Sequence, residues 1–490
     1  MAVRKNILFN IIMVFSQMAF PVIILPHITR VLGVRNIGIF NLVDSFAQYF
    51  IMFAALGIPI YGIRAISQAS AKSKQILNST FSELVTIQAF LTIVLLVVYY
   101  CFVYFNPTVN LHKYYYILGS IQFMMGVFSV EWFFQGTDNF KFISIRTFII
   151  KVISIIAIFL LINEKTDAYL YYVISTLSYV LIAILNVLML SNNVRFVLPR
   201  FSSIFLHVKP LLTFFTTRFV VSIYVSFSII LIGFLSTERE VGFFTLAYKA
   251  YNVVIALINT IPIVIISRAT ILIQNKQDYE YKALIENVFS IVVFIGIPAT
   301  FCVFLYSDEI VYLLGGAEFL QSSLLLKILS LLVIVISLSS IFALNVLTPL
   351  KKEKFFLISA ITGMIISLGT NFFLIPKYGS IGASISLLLA EIAVFIMLAY
   401  YCGKTFTFNF KIKSLGLYVI ACLPFILIYY TIHNYSHSAI ITLIIGSAIS
   451  LLLYYILTVF IFKDKLIADY HKIYFEMLLN KISNRKNTKI

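Results

Sequence analysis

Residues 34–50 read VRNIGIFNLVDSFAQYF, and residues 238–254 read EREVGFFTLAYKAYNVV. Each stretch has a glycine in its fifth position, Gly38 in the first and Gly242 in the second, and the two glycines are 204 positions apart. Both stretches then continue with apolar and aromatic residues. The pattern predicts that they are equivalent parts of an internal repeat.

The segments that follow keep nearly the same spacing. Residues 56–67 read LGIPIYGIRAIS, and residues 259–270 read NTIPIVIISRAT. Arg64 and Arg268 are again 204 positions apart, and a proline precedes each arginine. Any single match is weak, so the constant spacing is what supports the repeat.

Composition places the chain in a membrane. Of its 490 residues, 61% are hydrophobic and 11% are charged, whereas a single soluble core stops growing near ~250–300 residues. Apolar runs of about 20 residues, long enough to span a ~30 Å hydrocarbon layer, recur along the chain. The sequence predicts an all-α polytopic membrane protein with about 14 spans, at 7–29, 37–60, 82–105, 114–134, 142–162, 168–190, 211–235, 241–267, 286–306, 324–347, 355–375, 380–402, 415–433 and 438–462.

The distribution of positive charge predicts the orientation. Of the 36 lysines and arginines, 26 fall on the side of Arg4 and Lys5, 7 on the opposite side and 3 within spans. Cytoplasmic loops carry such an excess, so both termini are predicted to be cytoplasmic. The net charge of +17 is explained in the same way, and nucleic-acid binding is not expected.

The repeat predicts the domain organisation. Six spans separate its two copies, so the halves have the same orientation, as in transporters with a parallel repeat. We expect an N-terminal lobe over 1–195 and a C-terminal lobe over 196–405. Two extra spans follow over 406–462, and a basic tail over 463–490 is expected on the anionic inner leaflet.

Catalytic motifs are poorly represented. The sequence has no H-E-x-x-H and no C-x-x-C, and GKT at 403–405 lacks the first glycine of a phosphate-binding loop because Leu398 occupies that position. The longest predicted outer segment, 306–323, has 18 residues and cannot hold a catalytic domain. We expect a transporter and not an enzyme, with no metal or cofactor.

Polar residues inside two spans are the first candidate site. Arg218 and Ser222 lie four residues apart in span 7, and Lys249, Asn252 and Asn259 share one face of span 8. Such residues are costly against lipid and favourable in a water-filled cavity. The alternatives stay open: both cations can extend to the membrane surface, and the serine and asparagines can serve helix packing or interhelical hydrogen bonds.

Two carboxylates are candidates for ion coupling. Glu391 lies near the middle of span 12, and Asp44 lies six residues after Gly38 in span 2. A buried carboxylate can exchange protons near neutral pH, although Glu391 can also be an ion-pair or packing residue. The repeat puts Asp44 at a depth similar to that of Lys249, so we predict that the two charges face each other across a cavity.

Three arginines at span ends form a further candidate group. Arg30, Arg64 and Arg268 lie where arginine ordinarily anchors a helix at the membrane surface. A guanidinium also binds phosphate in a bidentate manner. These residues can therefore also bind an anionic head group.

Several stretches together resemble the polysaccharide transporter family, the Wzx-type flippases for O-antigen and capsule repeat units. This family is part of the multidrug/oligosaccharidyl-lipid/polysaccharide exporter superfamily. The resemblance covers residues from about 4 to 460, and its clearest stretches are ILPHITRVLGVRNIGIFNLVDSFAQYF (24–50), LGIPIYGIRAIS (56–67), EWFFQGTDNFKFISIRTFIIKVIS (131–154), FFTTRFVVSIY (214–224), VGFFTLAYK (241–249) and YGSIGASIS (378–386).

The resemblance implies two six-helix lobes that form a V-shaped central cavity in a bacterial cytoplasmic membrane. It implies a substrate that serves lipopolysaccharide or capsule synthesis, an oligosaccharide unit on undecaprenyl pyrophosphate. Arg218 and Lys249 would be the cavity cations, and Glu391 or Asp44 would couple transport to H⁺ or Na⁺. A polymerase and glycosyltransferases of the same pathway would be partners. An ion-coupled multidrug antiporter and a membrane polysaccharide polymerase are the alternatives.

Overall fold

The computed structural model describes residues 2–408, 410, 412–436 and 438–462, and the predicted basic tail at 463–490 lies outside these ranges. Every regular element within the described residues is helical. The prediction of an all-α membrane fold is therefore confirmed.

The α-helices are numbered in chain order. The first ten are α1 Ala2–Ala55, α2 Ile58–Ser70, α3 Lys74–Phe105, α4 Pro107–Asn110, α5 Lys113–Met125, α6 Glu131–Gly136, α7 Phe140–Leu161, α8 Ala168–Asn193, α9 Phe201–Val225 and α10 Phe227–Leu235. They are followed by α11 Glu238–Gln274, α12 Asp278–Leu305, α13 Ser307–Gly315, α14 Ser322–Ser330, α15 Leu332–Ser340, α16 Glu353–Thr405, α17 Ile412–Cys422, α18 Pro424–Tyr435 and α19 Ala439–Ile456. Short 3₁₀ turns lie at Gly126–Phe128, Lys165–Asp167 and Ala317–Phe319, and π-helical turns at Ile341–Leu347 and Leu457–Ile461.

Twelve helical segments of the described chain are long and apolar enough to cross a membrane. Two of them, Phe20–Ser70 and Glu353–Thr405, contain 51 and 53 residues, or roughly 80 Å of helix at ~1.5 Å per residue. Each therefore has the length of two crossings. Gly33 and Gly379 interrupt these segments with φ values of 75° and 54°, a conformation that glycine adopts without steric cost.

The two interruptions replace loops that the sequence predicts. The gap after span 1 was expected to occupy residues 30–36, and the gap after span 11 residues 376–379. In the structure, helix continues up to one glycine in each case and resumes directly after it. The count of about 14 spans is compatible with this arrangement and stays a prediction.

The described residues form two compact units that alternate along the chain. The first unit comprises the chain up to Leu246 together with Leu314–Phe319 and Met364–Leu387. The second comprises Ala247–Leu313, Leu320–Gly363 and the chain from Leu388 onward. The lobes at 1–195 and 196–405 were inferred from the sequence repeat and stay a prediction.

The repeat-related glycines lie in one helix contact within the first unit. A Cβ added to Gly38 would lie 3.1 Å from the backbone nitrogen of Gly242, and closer still to the carbonyl of Glu238. A Cβ added to Gly242 would collide in the same way with the carbonyl of Val34. Val34 and Glu238 occupy equivalent positions, four residues before the two glycines. The contact is reciprocal, which is the form expected of two related segments that pack around an approximate two-fold axis.

Helix α9 differs from the predicted seventh span. The sequence predicts one continuous span at 211–235, but α9 begins at Phe201 and ends at Val225, and α10 follows from Phe227. Ser226 lies at the break with φ −114°. The hydroxyl of Tyr49 donates a hydrogen bond of 2.7 Å to the carbonyl of Ser222, which also accepts from the Ser226 amide. A side chain that enters the backbone hydrogen-bond ladder is a known cause of helix kinks.

The extra C-terminal helices pack into the second unit. Gly446 on α19 lies against the ring of Tyr306, whose hydroxyl is 3.4 Å from Ser450 Oγ. Tyr454 on the same helix donates a hydrogen bond of 2.8 Å to the carbonyl of Phe294 on α12. Buried tyrosines supply apolar area and require a partner for the hydroxyl. These bonds fix the position of α19 against α12.

Candidate functional site

Arg218 lies on the most exposed of the twelve candidate membrane helices, α9. Its side chain is exposed and makes no hydrogen bond or ion pair with any residue in the described part of the chain. A guanidinium carries five N–H donors, so this one has its full capacity for a ligand or for water. The exposure agrees with a cavity cation and with a side chain that extends to the membrane surface.

The hydroxyl of Ser222 is hydrogen-bonded within its own helix. Its hydroxyl donates a hydrogen bond of 2.8 Å to the carbonyl of Phe219, and its carbonyl is the acceptor for Tyr49. This arrangement favours the packing interpretation for Ser222 over direct contact with a ligand. Its role as a binding residue stays a prediction.

Three predicted site residues lie on α11 within the second unit. Lys249, Asn252 and Asn259 are each half-buried. The side-chain amide of Asn252 donates a hydrogen bond of 2.8 Å to the carbonyl of Tyr248, one turn earlier. Asn259 Oδ1 is buried and accepts no hydrogen bond from a described residue, so its acceptor capacity is unused among the described residues.

Glu391 is a buried carboxyl on α16 in the second unit. Its side chain is 6% exposed, and it forms no ion pair with any residue that the structure describes. Tyr251 is also buried and lies close enough to interact electrostatically with the Glu391 carboxyl. Because no described cation lies against this carboxyl, the ion-pair interpretation of Glu391 is not supported.

Asp44 lies in an aromatic environment in the first unit. It is half-buried on α1 and within electrostatic range of the hydroxyls of Tyr171, Tyr172 and Tyr179 on α8. Asp44 and Lys249 are described in different units. Their predicted pairing therefore stays a prediction.

The three arginines at span ends are all exposed. The side chain of Arg30 passes Gly316, where a Cβ would lie 3.3 Å from Arg30 Cγ. Arg268 lies on α11 in the second unit. Arg64 lines a cavity of about 210 Å³ between α2 and α9. Arg64 is thus a predicted site residue that lines a cavity.

A buried Tyr–His–Glu chain beside this cavity is absent from the sequence predictions. His207 Nε2 lies 2.8 Å from Glu83 Oε2, and the hydroxyl of Tyr61 lies 2.7 Å from His207 Nδ1. The side chains of His207 and Glu83 are 13% and 9% exposed. These residues are 124 and 146 positions apart in the chain, so no local pattern links them. Only the rarity of histidine, with six in the chain, marks His207 beforehand.

Ion pairs at the predicted outer end of the first unit were also missed. Glu238 at the start of α11 lies 3.0 Å from His112 Nε2 and 3.9 Å from Arg35 Nε. Glu240, in the same first turn of α11, accepts a hydrogen bond of 2.9 Å from the Ser380 amide. Carboxylates are favourable in the first turn of a helix because of the helix dipole. The two carboxylates also hold the start of α11 against Arg35 on α1 and Ser380 on α16.

Arg146 forms a buried ion pair on α7. Its side chain is 1% exposed and lies 2.7 Å from Glu131 Oε1. It also donates to Asn186 Oδ1 on α8. The distribution of positive charge counts Arg146 with the cytoplasmic flank that it abuts, and the structure places its side chain in the interior. The local sequence shows the charge but not its partner on α8.

The comparisons with known proteins all point to the same class of protein. Residues 3–266 match the family model described as "Polysaccharide biosynthesis protein". A putative O-antigen transporter from Shigella dysenteriae is 24% identical over 408 residues, which cover 81% of this chain and 98% of that protein. A putative O-antigen transporter from Escherichia coli strain K12 is 23% identical, with coverages of 80% and 95%.

Solved structures show the same fold. The lipid II flippase MurJ, in an inward closed conformation, superposes with a TM-score of 0.77 at 17% identity, over 94% of this chain and 100% of that one. An inward-facing multidrug resistance MATE family transporter gives a TM-score of 0.60 at 14% identity, over 80% and 97%. Since the family model matches more than half of its residues, this chain belongs to the polysaccharide biosynthesis protein family.

Proposed function

We propose that this protein is a flippase that moves lipid-linked oligosaccharides across the bacterial cytoplasmic membrane. The observation that carries the proposal is the similarity to proteins named as putative O-antigen transporters, of which one is matched over 98% of its length and over 81% of this chain. The membrane helices and the fold shared with a lipid II flippase agree with it. The chain acts as a transporter, not as an enzyme.

The finer substrate assignment rests on charge. Undecaprenyl pyrophosphate with an attached oligosaccharide carries its negative charge in the pyrophosphate, and a cavity for it requires cations. Arg218 is exposed and unpaired among the described residues, and Arg64 lines a cavity. Lys249 and Arg268 add two more positive charges in the second unit. We assign Arg218 and Arg64 to head-group binding in the first unit, and Lys249 and Arg268 to head-group binding in the second, with Asn259 as an acceptor for sugar hydroxyls.

Transport is proposed to proceed by alternating access from the cytoplasmic to the outer leaflet, with both termini cytoplasmic. The charge distribution supports this orientation. Glu391 is the better candidate for ion coupling, because it is buried with no cation against it among the described residues, whereas Asp44 is half-buried. The lipid tail can remain in the bilayer while the polar head group crosses.

Depletion of the protein in its host tests the proposal. We expect surface polysaccharide to disappear while lipid-linked repeat units accumulate on the cytoplasmic leaflet, because synthesis continues and translocation stops. Complementation with the intact chain should restore the surface polymer. Accumulation of the units on the outer leaflet would instead identify a polymerase.

A multidrug antiporter is the second candidate, because a multidrug transporter shares the fold with a TM-score of 0.60. The exposed cations argue against it, since cationic drugs require an acidic site. Unchanged drug susceptibility after depletion is the expected outcome. A loss of drug resistance with normal surface polysaccharide would favour the antiporter.

A further inference from the structure

The cavity beside Arg64 has the chemistry of a small anion site. Helix α2 contributes Tyr61, Arg64, Ala65 and Gln68, and α9 contributes Pro210 and Phe214. The α2 residues follow the i, i+3, i+4, i+7 spacing of one helix face. Three of these four α2 residues, all except Ala65, carry side-chain hydrogen-bond donors on one wall, and an aromatic ring with a proline lies on the opposite wall.

The size of the cavity limits what it can hold. Its 210 Å³ corresponds to about seven water molecules at ~30 Å³ each. Pockets for drug-sized ligands begin near ~300 Å³, so the cavity can enclose only a small part of an oligosaccharide. A phosphate or pyrophosphate with the start of an apolar chain fits the donor wall and the apolar wall together.

Tyr61, on the wall of the cavity that carries the donors, is hydrogen-bonded to the buried side chain of His207. Neutral His207 has one N–H, which is directed to the Glu83 carboxylate at 2.8 Å. Its Nδ1 then has a free lone pair and accepts the hydrogen of the Tyr61 hydroxyl at 2.7 Å. In this state the hydroxyl of Tyr61 donates away from the cavity that its side chain lines.

Protonation of His207 reverses that hydrogen bond. Both ring nitrogens of an imidazolium are donors, so the Tyr61 oxygen must accept and its O–H can turn to the cavity beside Arg64. The titratable groups that contact His207 are Glu83 on α3 and Tyr61 on α2. Ser79 donates to the other oxygen of Glu83 at 2.9 Å, which holds the carboxylate in place.

We propose that this cavity binds the pyrophosphate of the substrate at the predicted cytoplasmic end of the first unit, and that Glu83, His207 and Tyr61 couple its binding to uptake of one proton. Arg64 supplies the permanent charge, and Tyr61 supplies a donor that is available only when His207 is protonated. The inference rests on the proposed flippase function. It adds a defined subsite and a proton-linked donor to that function.

The test uses the purified full-length protein and a short-chain prenyl pyrophosphate monosaccharide. This probe is a pyrophosphate diester, so its charge stays constant across the histidine range. Calorimetric titration at about pH 6 and about pH 8, on either side of that range, should show binding about tenfold tighter at the lower pH, as expected for one added hydrogen bond to a charged group. Titration in buffers of different ionisation enthalpy should show net proton uptake.

Three variants separate the roles. Arg64→Ala should weaken binding at both pH values. Tyr61→Phe and His207→Gln should bind with the affinity that the intact protein shows at high pH, with no pH dependence. His433→Gln is the matched control, because it removes another histidine–glutamate pair, with Glu309 at 3.1 Å in the second unit, and should bind as the intact protein does.

Retained pH dependence in Tyr61→Phe would overturn the coupling, and unchanged affinity in Arg64→Ala would overturn the subsite. Thermal unfolding checks that each variant is folded; if His207→Gln is not, Tyr61→Phe decides alone. Equal competition by short-chain phosphatidylglycerol would assign the cavity to bulk lipid and also overturn the subsite. Translocation without pH-linked binding would leave the flippase function intact, whereas no translocation of any lipid-linked sugar would refute that function itself.

Discussion

Arg218 is the residue for which two physical explanations predict opposite phenotypes. As a cavity cation it holds the head group, and its removal eliminates a charge-assisted bond worth ~1.5–3 kcal/mol. As a surface anchor it contributes little to transport. We expect Arg218→Ala to lower translocation in proteoliposomes at least about tenfold, with normal protein level and thermal stability.

The matched control for Arg218 is Lys209→Ala, which removes another exposed cation from α9. It should leave translocation within about twofold, since rim charges contribute little to binding. Arg218→Lys should restore part of the activity because the charge remains. Full transport in Arg218→Ala would establish the surface anchor.

Glu391 permits a test in which stability and coupling change in different directions. Glu391→Gln keeps the shape of the side chain and removes the ability to ionise. Because the carboxyl is buried with no cation among the described residues, we expect thermal stability to stay the same or to rise slightly. Transport driven by an imposed pH gradient should be lost.

Glu353→Gln is the control for this experiment, since Glu353 is exposed in the first turn of the same helix. Gradient-driven transport should persist in that variant. Its persistence in Glu391→Gln as well would show that the proton or Na⁺ is bound elsewhere. Asp44→Asn is the next variant in that case.

At the scale of elements, backbone atoms and not side chains set how closely α1 and α11 approach each other. Gly38→Ala places a methyl group on the carbonyl of Glu238. Because backbone has little freedom to move, we expect a loss of ~1–3 kcal/mol in the free energy of unfolding, as for overpacked cores. Gly242→Ala should behave alike, and thermal unfolding in detergent measures both.

Gly369→Ala is the matched control, since this glycine lies inside α16 with no atom within 4 Å of the added Cβ. Alanine is the better helix former by up to ~1 kcal/mol, so this variant should be equal or more stable. Equal effects of Gly38→Ala and Gly369→Ala would contradict the close contact.

The helix boundaries show where sequence patterns stop being informative. The break between α9 and α10 arises at Ser226, where Tyr49, 173 positions from Ser222, bonds the Ser222 carbonyl. Hydropathy is unchanged across the break, so the sequence predicts one continuous span. The opposite error occurs around Gly33 and Gly379. Hydropathy falls there, so the sequence predicts a loop, but the backbone remains helical up to each glycine.

At the scale of the whole molecule, the charge distribution predicts the orientation, which can be tested by cysteine labelling. In a variant without the four native cysteines, Thr166→Cys and Asn275→Cys place one thiol each at exposed positions between helices. A membrane-impermeant maleimide should label Thr166→Cys in intact cells. It should label Asn275→Cys only after permeabilisation, and the reverse result would invert the predicted topology.

The all-α membrane fold and the repeat were predictable because hydropathy and the 204-residue spacing are properties of the chain itself. The candidate site was predictable only in part. Exposed Arg218 and buried Glu391 carry their signal locally, as charges within apolar runs. His207 and Arg146 do not, because their partners lie on other helices and a lone charge in sequence has the same appearance whether it is paired or free.

The reciprocal contact of Gly38 and Gly242 also bears on ancestry. Each glycine rests on the carbonyl four residues before the other, as identical subunits do across the axis of a homodimer. A chain of six helices with one such glycine would make this contact with a second copy of itself. Gene duplication and fusion of a dimeric ancestor would leave this geometry, in which a former subunit interface has become an internal joint.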